Sequence, residues 1–204
     1  MGRRQGYNPG PVTMMMRFAV LLLALSFAAP ALAQGVSPPA VKAGDRWVYD
    51  GAGGKRSLKI DSVSGDGTVD ATIDAPGLSG LAIRYDRDWN VLMAPVPMLG
   101  TIHYQRYSPP VCLMPSAPWH VGQSWSCDAN WSDGTYSGSV HVAGKLLARE
   151  KIDVPAGNFD ALHAELNFGG SRVDCWYAPK AENWAQCKSA LADYNYALAS
   201  YSLK

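Results

Sequence analysis

The chain is poor in charge, and it lacks the spacings that mark common catalytic and metal sites. Only 17% of its 204 residues are Asp, Glu, Lys or Arg, against roughly a quarter in an ordinary globular domain. No block of like charge suggests a solvated tail, and no basic stripe suggests nucleic acid. There is no C-x-x-C, no G-x-S-x-G and no H-E-x-x-H, so these zinc, redox and hydrolase patterns are absent. His103, His120, His141 and His163 stand singly along the chain. No metal or cofactor site is therefore expected. The apolar run from Phe18, FAVLLLALSFAAPALA, has 16 residues and contains Ser26 and Pro30. A membrane helix needs about 20 predominantly apolar residues.

That run has a different meaning in its setting. Arg3, Arg4 and Arg17 precede or open it, no acidic residue appears before Asp45, and Ala31 and Ala33 end it in a small-x-small pattern. Basic flank, apolar centre and small-residue end together read as a cleaved secretory signal over residues 1–33. The expected cut falls between Ala33 and Gln34, and Met14, Met15 and Met16 are alternative starts. No cysteine stands where lipid attachment would need one, and no transmembrane anchor is expected after cleavage. The expected location is the periplasm or the medium, in soluble form. Cleavage also changes the charge. Three arginines leave, so 18 basic residues become 15 against an unchanged 17 acidic ones, and the net charge moves from +1 to −2.

Cys112, Cys127, Cys175 and Cys187 all lie beyond the expected cut. An even number of cysteines in an oxidising compartment favours two disulfides. Three pairings are open. Each of the segments CLMPSAPWHVGQSWSC and CWYAPKAENWAQC encloses a turn, which favours 112–127 and 175–187. Short loops of this kind stabilise by roughly 3 kcal/mol each through loop-closure entropy.

Residues 34–43 read as a flexible lead-in, and 44–204 as one β-rich domain. Strand-like stretches recur between turn signals: 46–50, 57–63, 68–75, 81–85, 101–107, 135–142, 145–154, 159–166, 172–178, 184–188 and 193–203. Asp66-Gly67 marks a hairpin, and Pro155-Ala156-Gly157-Asn158 a tight turn. The segment 91–100, VLMAPVPMLG, carries two prolines and reads as an edge strand or a packed loop. Gly44-x-x-Trp47 recurs as Gly122-x-x-Trp125, which suggests two similar strand starts.

Several of these motifs occur together: G-x-x-W at 44–47 and 122–125, VPAGNFDAL at 154–162 and WYAP at 176–179. In this the chain resembles a loosely defined group of exported bacterial β-rich domains of unknown function. The resemblance spans most of the region after the signal. It implies an antiparallel, strongly curved sheet or a partly open β-barrel. It implies no catalytic residues.

The remaining chemical candidates are sparse. His163 and Glu165 share a strand face and form a histidine–carboxylate pair suited to acid–base work. Asp86, Asp88 and Asp133 are further carboxylates without a spacing that joins them. Trp89, Trp119, Trp131 and Trp184 sit beside turns, where aromatic side chains can rim a binding face. The expected function is a noncatalytic envelope protein that binds a lipid, another amphipathic or apolar ligand, or an envelope protein. An unrecognised hydrolase and a structural adaptor are the alternatives. Sequencing the N-terminus of protein recovered after export should read Gln34-Gly35-Val36; a start at Met16 or earlier contradicts cleavage after Ala33.

Overall fold

The computed structural model describes residues 35–98, 100–190 and 194–204. The expected signal segment and Gln34 lie outside the described residues, as does the first residue of the expected strand 193–203. Twelve strands follow in order: β1 (Arg46–Gly51), β2 (Arg56–Val63), β3 (Val69–Ala75), β4 (Leu78–Tyr85), β5 (Val91–Met98), β6 (Thr101–Val111), β7 (Ser124–Ser132), β8 (Ser137–Val154), β9 (Gly157–Phe168), β10 (Ser171–Ala178), β11 (Asn183–Ser189) and β12 (Tyr196–Ser202). A 3-10 turn at Pro179–Ala181 joins β10 to β11.

Each strand pairs antiparallel with its sequence neighbours, and β12 pairs with β1 to close the ring. This corrects the expectation of a curved sheet or partly open barrel. The closing register runs from Arg46 opposite Ser202 to Gly51 opposite Tyr196, with one irregularity at Val48/Tyr49. Closure removes the two unpaired edges that an open sheet would present. The ring is not equally stitched all round. The β11–β12 ladder holds two residue pairs, and the β4–β5 ladder also holds two.

Local chemistry explains the elements the sequence left ambiguous. Pro95 and Pro97 pair across to Tyr104 and Ile102 of β6, beyond the end of the β4–β5 ladder. Their missing N–H groups therefore cost little on the side without a neighbour. The expected strands 135–142 and 145–154 are one strand, β8, bent by an irregularity at Leu146/Ala148. The G-x-x-W echo points to a strand start at β7, but the rest of the strand was not expected, because Ser126, Asp128 and Asn130 on its outward face are poor strand formers. Its inward Trp125, Cys127, Ala129 and Trp131 nonetheless alternate with them in burial.

The two G-x-x-W starts share one geometry. Gly44 and Gly122 both take a left-handed backbone, at φ +95° and +90°. Gly44 N–H donates to Ile60 O and Gly122 N–H to Leu146 O; Ile60 and Leu146 return the bond to Asp45 and Gln123. Asp45 Oδ2 accepts from Lys42 N at 2.7 Å, and Gln123 Oε1 from His120 N at 3.1 Å. The tryptophans then diverge. Trp47 is fully buried and its indole N–H donates to Ala181 O at 2.6 Å. Trp125 is half-buried and lies over Gly144, where a Cβ would collide with its ring.

Most apolar strand side chains point inward and most charged ones outward. On β2–β4, Leu58, Ile60, Ala71 and Ile83 are buried, while Lys59, Asp61, Asp70 and Arg84 face out and pair, Arg84 Nε reaching Asp70 Oδ1 at 2.6 Å. A membrane-spanning barrel carries its apolar band on the outside instead. No helix among the described residues is long and apolar enough to cross a membrane.

The interior packs as two clusters. One gathers around Trp47, Ile60, Val142 and Leu198. The other gathers around Trp119, Leu146, Tyr177 and Val173, with Val36 added from the lead-in. Val36 and Trp119 exchange backbone hydrogen bonds of 2.9 and 2.8 Å. The β6–β7 loop supplies Met114 and Trp119 to this second cluster. Disulfides join Cys112 to Cys127 across the base of that loop, and Cys175 to Cys187 directly across β10 and β11.

The two matching tryptophans should differ in energetic weight. Trp47→Ala removes a fully buried ring and its hydrogen bond, and should lower unfolding free energy by about 3–5 kcal/mol in urea titration. Trp125→Ala should cost less than half as much; equal losses would contradict the difference in burial.

Candidate functional site

A closed ring of twelve strands is wider than its side chains can fill, since diameter grows with strand number and about eight strands suffice to pack the centre. The two clusters accordingly leave a cavity of about 210 Å³ between them. Leu58 and Tyr85 of the first cluster face Leu166, Val173 and Trp184 of the second across it. The Cys175–Cys187 disulfide forms part of the wall.

Two of the four tryptophans expected at a rim line this cavity, Trp89 and Trp184. Trp89 is placed there by the turn before β5. Asp86 Oδ1 accepts from Asp88 N and Asn90 N, both at 2.9 Å, and Trp89 N donates to Asp86 O. The turn forces Trp89 to φ +69°, a region that bulky residues rarely occupy. Stacking on Tyr85, with ring centres 4.4 Å apart and planes 9° apart, helps to hold it. Trp119 instead sits inside the second cluster, edge-on to Tyr177. Trp131 covers Gly138.

Polar groups punctuate the apolar wall. Tyr49, Tyr85 and Tyr196 line it, and burial pushes each phenol above its ordinary value of 10.0, with the neighbouring phenols adding to the rise. They remain neutral hydroxyls at any ordinary pH. Tyr196 donates its hydroxyl proton to Cys187 Sγ at 3.1 Å. Arg56 and Ser57 also reach the wall, and Ser57 donates to Asp74 Oδ2 at 3.0 Å. Asn183, the first residue of β11, lines the cavity and is 2% exposed.

The expected His163–Glu165 pair is not formed. Glu165 instead meets Arg172 at 2.9 Å. His163 lies between two other carboxylates brought in by the neighbouring strands: Nδ1 is 3.1 Å from Glu150 Oε1, and Nε2 is 3.0 Å from Asp174 Oδ1. Its ring stacks on Trp176 at 4.4 Å, and the Trp176 indole N–H donates to Glu150 Oε2 at 3.0 Å. Arg172 holds Asp174 through two 2.9 Å bonds. With both imidazole nitrogens on carboxylates, this cluster is a cross-strand clamp over β8, β9 and β10.

Asp86, Asp88 and Asp133 are not brought together. Asp86 holds its own turn, Asp88 sits 3.8 Å from Arg87, and Asp133 meets His103 Nδ1 at 2.6 Å. Nothing in the local spacing of His103 and Asp133 points to that last contact. His103 Nε2 is also 2.8 Å from Thr101 Oγ1, an alignment of hydroxyl, imidazole and carboxylate. Thr101 Oγ1 also lies 3.2 Å from Met98 O, a second acceptor for its one proton. Among the described residues, no group of three or more His, Cys, Asp or Glu is placed to hold a metal ion.

The clamp makes a pH-dependent contribution of definite sign. The Trp176 N–H, then His163 and Lys188, hold Glu150 below its ordinary 4.5. Arg172, then His163, holds Asp174 below its ordinary 3.8. Depressed carboxylates stabilise the fold above these ordinary values, and the contribution is lost as pH falls through the lower folded values. Urea midpoints should therefore drop on acidification below about pH 4.5, and Glu150→Gln should flatten that drop. An unchanged acid slope in the variant would contradict the assignment. Both carboxylates are partly solvated, so the effect should be modest.

Comparison with known proteins gives a distant likeness of chain path. No family model matches the chain, and no curated protein matches it. A Bacteroides fragilis protein, described as exported and as having a YmcC-like fold, is 14% identical with a TM-score of 0.48, covering 82% of this chain and 99% of its own. A protein of Parabacteroides distasonis described as a lipoprotein is 13% identical, with a TM-score of 0.41 and coverage of 82% and 98%. The hypothetical lipoprotein YmcC of Escherichia coli is 10% identical, with a TM-score of 0.45 and coverage of 80% and 88%. None of these bears on the G-x-x-W, V-P-A-G-x-F-x-A or W-Y-A-P motifs.

Proposed function

We propose that this chain is an exported, noncatalytic binding protein that holds one small apolar or amphipathic molecule inside its barrel. The observation that carries the reading is the aromatic-walled cavity between the two packing clusters. Its volume of about 210 Å³ exceeds the roughly 150 Å³ that suffices to hold benzene in an apolar interior. Apolar walls with a few placed polar groups are the usual make-up of a small-molecule site. The basic, apolar and small-x-small order of residues 1–33, together with the two disulfides, supports export. The hydrolase alternative has less support, because both ring nitrogens of His163 are taken up by carboxylates.

Toluene is a suitable minimal probe. Titration followed by NMR should show saturable binding, with shifts at the indole N–H groups of Trp89 and Trp184. Leu113 lines the cavity and is half-buried, so Leu113→Trp should fill the space and weaken binding at least tenfold. Absence of saturable binding to the folded wild-type protein would overturn the reading.

A further inference from the structure

The cavity wall includes Asn183, a buried polar residue whose hydrogen bonding is incomplete. Asn183 is 2% exposed, and its Oδ1 accepts from the backbone N–H of Trp184 at 2.8 Å. This contact fixes the orientation of the amide, because only the oxygen can accept. Nδ2 is then directed away from that N–H, and among the described residues it has no hydrogen-bond partner. A buried amide nitrogen left without an acceptor is costly, so its place in a fold needs a reason.

The position of Asn183 is itself tightly determined. The 3-10 turn ends on Glu182 in the left-handed region, at φ 51°. Asn183 then pairs with Ala178 at the start of the β10–β11 ladder. Asn183 is thus held at the junction of a turn and a strand, in the wall of the cavity. It supplies N–H donors only, since its oxygen is used. The rest of the wall is mostly hydrocarbon, aromatic ring and disulfide; its other polar side chains are Arg56, Ser57 and four tyrosines, of which Tyr49, Tyr85 and Tyr196 keep their protons.

We propose that the cavity selects small acyl compounds, whose carbonyl or carboxylate oxygen accepts a hydrogen bond from Asn183 Nδ2 while the hydrocarbon part lies among Leu58, Leu166, Val173 and Trp184. This inference rests on the binding reading above and specifies its ligand class. The shared chemistry is an acyl oxygen joined to a compact apolar group. An acid supplies it as a carboxylate and an ester as a carbonyl. Toluene offers the same apolar ring and no acceptor.

The test is a titration of wild-type protein with toluene, methyl benzoate and benzoate, read by the same NMR shifts. At least one acyl compound should bind roughly two- to tenfold more tightly than toluene, the range of one net hydrogen bond. A lead for benzoate identifies the acid as the source of the acceptor, and a lead for methyl benzoate identifies the ester; either supports the proposal. In Asn183→Asp, the oxygen that accepts from Trp184 N is kept and the donor is replaced by an acceptor. The acyl advantage should vanish there while toluene binding persists. Equal wild-type affinities for all three probes would overturn the acyl proposal and leave the binding reading standing. Failure of all three to bind would overturn both. The wild-type series decides the matter even where Asn183→Asp does not fold.

Discussion

The pairing of β12 with β1 is the constraint on which the rest of the structure depends. Once those strands join, the number of strands fixes a circumference, and the circumference fixes a volume that side chains must fill. The chain fills most of it with two clusters. It uses Met114 and Trp119 from a loop as well as inward strand residues. The Cys112–Cys127 bond and the Trp119–Val36 bridge hold that loop and the lead-in segment in place. The cavity is the remainder after this filling. Its aromatic character follows from the same demand, because large rings span a wide interior with few side-chain torsions to order.

Much of the fold was legible in local sequence. The Asp66-Gly67 turn is a hairpin, with Gly67 at φ +86° and Thr68 N donating to Asp66 Oδ1. Gly157 takes the left-handed conformation that the 155–158 turn needs, at φ +124°. The G-x-x-W echo is matched bond for bond at two strand starts. What local sequence did not disclose was closure, because the β1–β12 register joins residues at opposite ends of the barrel domain and leaves no short-range trace. Most of β7 beyond its G-x-x-W start was hidden for a different reason. Its serines, Asp128 and Asn130 lower the apparent strand preference while its inward alternation stays intact.

The site was less legible than the fold, and the cause is parity. Whether Tyr49, Tyr85 or Tyr196 faces a cavity depends on which side of each strand becomes the interior, and closure decides that. Trp89 and Trp184 could be suspected from their places beside turns; Asn183 could not. The turn pattern Pro179 to Glu182 gave the only nearby signal, and it marks a bend rather than a donor. His163 shows the same limit from the other direction. Strand alternation put it beside Glu165, but cross-strand register gave it Glu150 and Asp174 instead.

The order of the strands along the chain has a consequence for timing. β1 finds its first neighbour, β2, almost as soon as both are made, but its second neighbour is the final strand in sequence. At synthesis rates of about 5–20 residues per second, the interval is on the order of ten seconds. Throughout it the sheet keeps its two edges unpaired, and for most of it Trp47 lacks Ala181, its acceptor in the finished ring. That delay makes the closing strand the step that converts a pliable ribbon into a container.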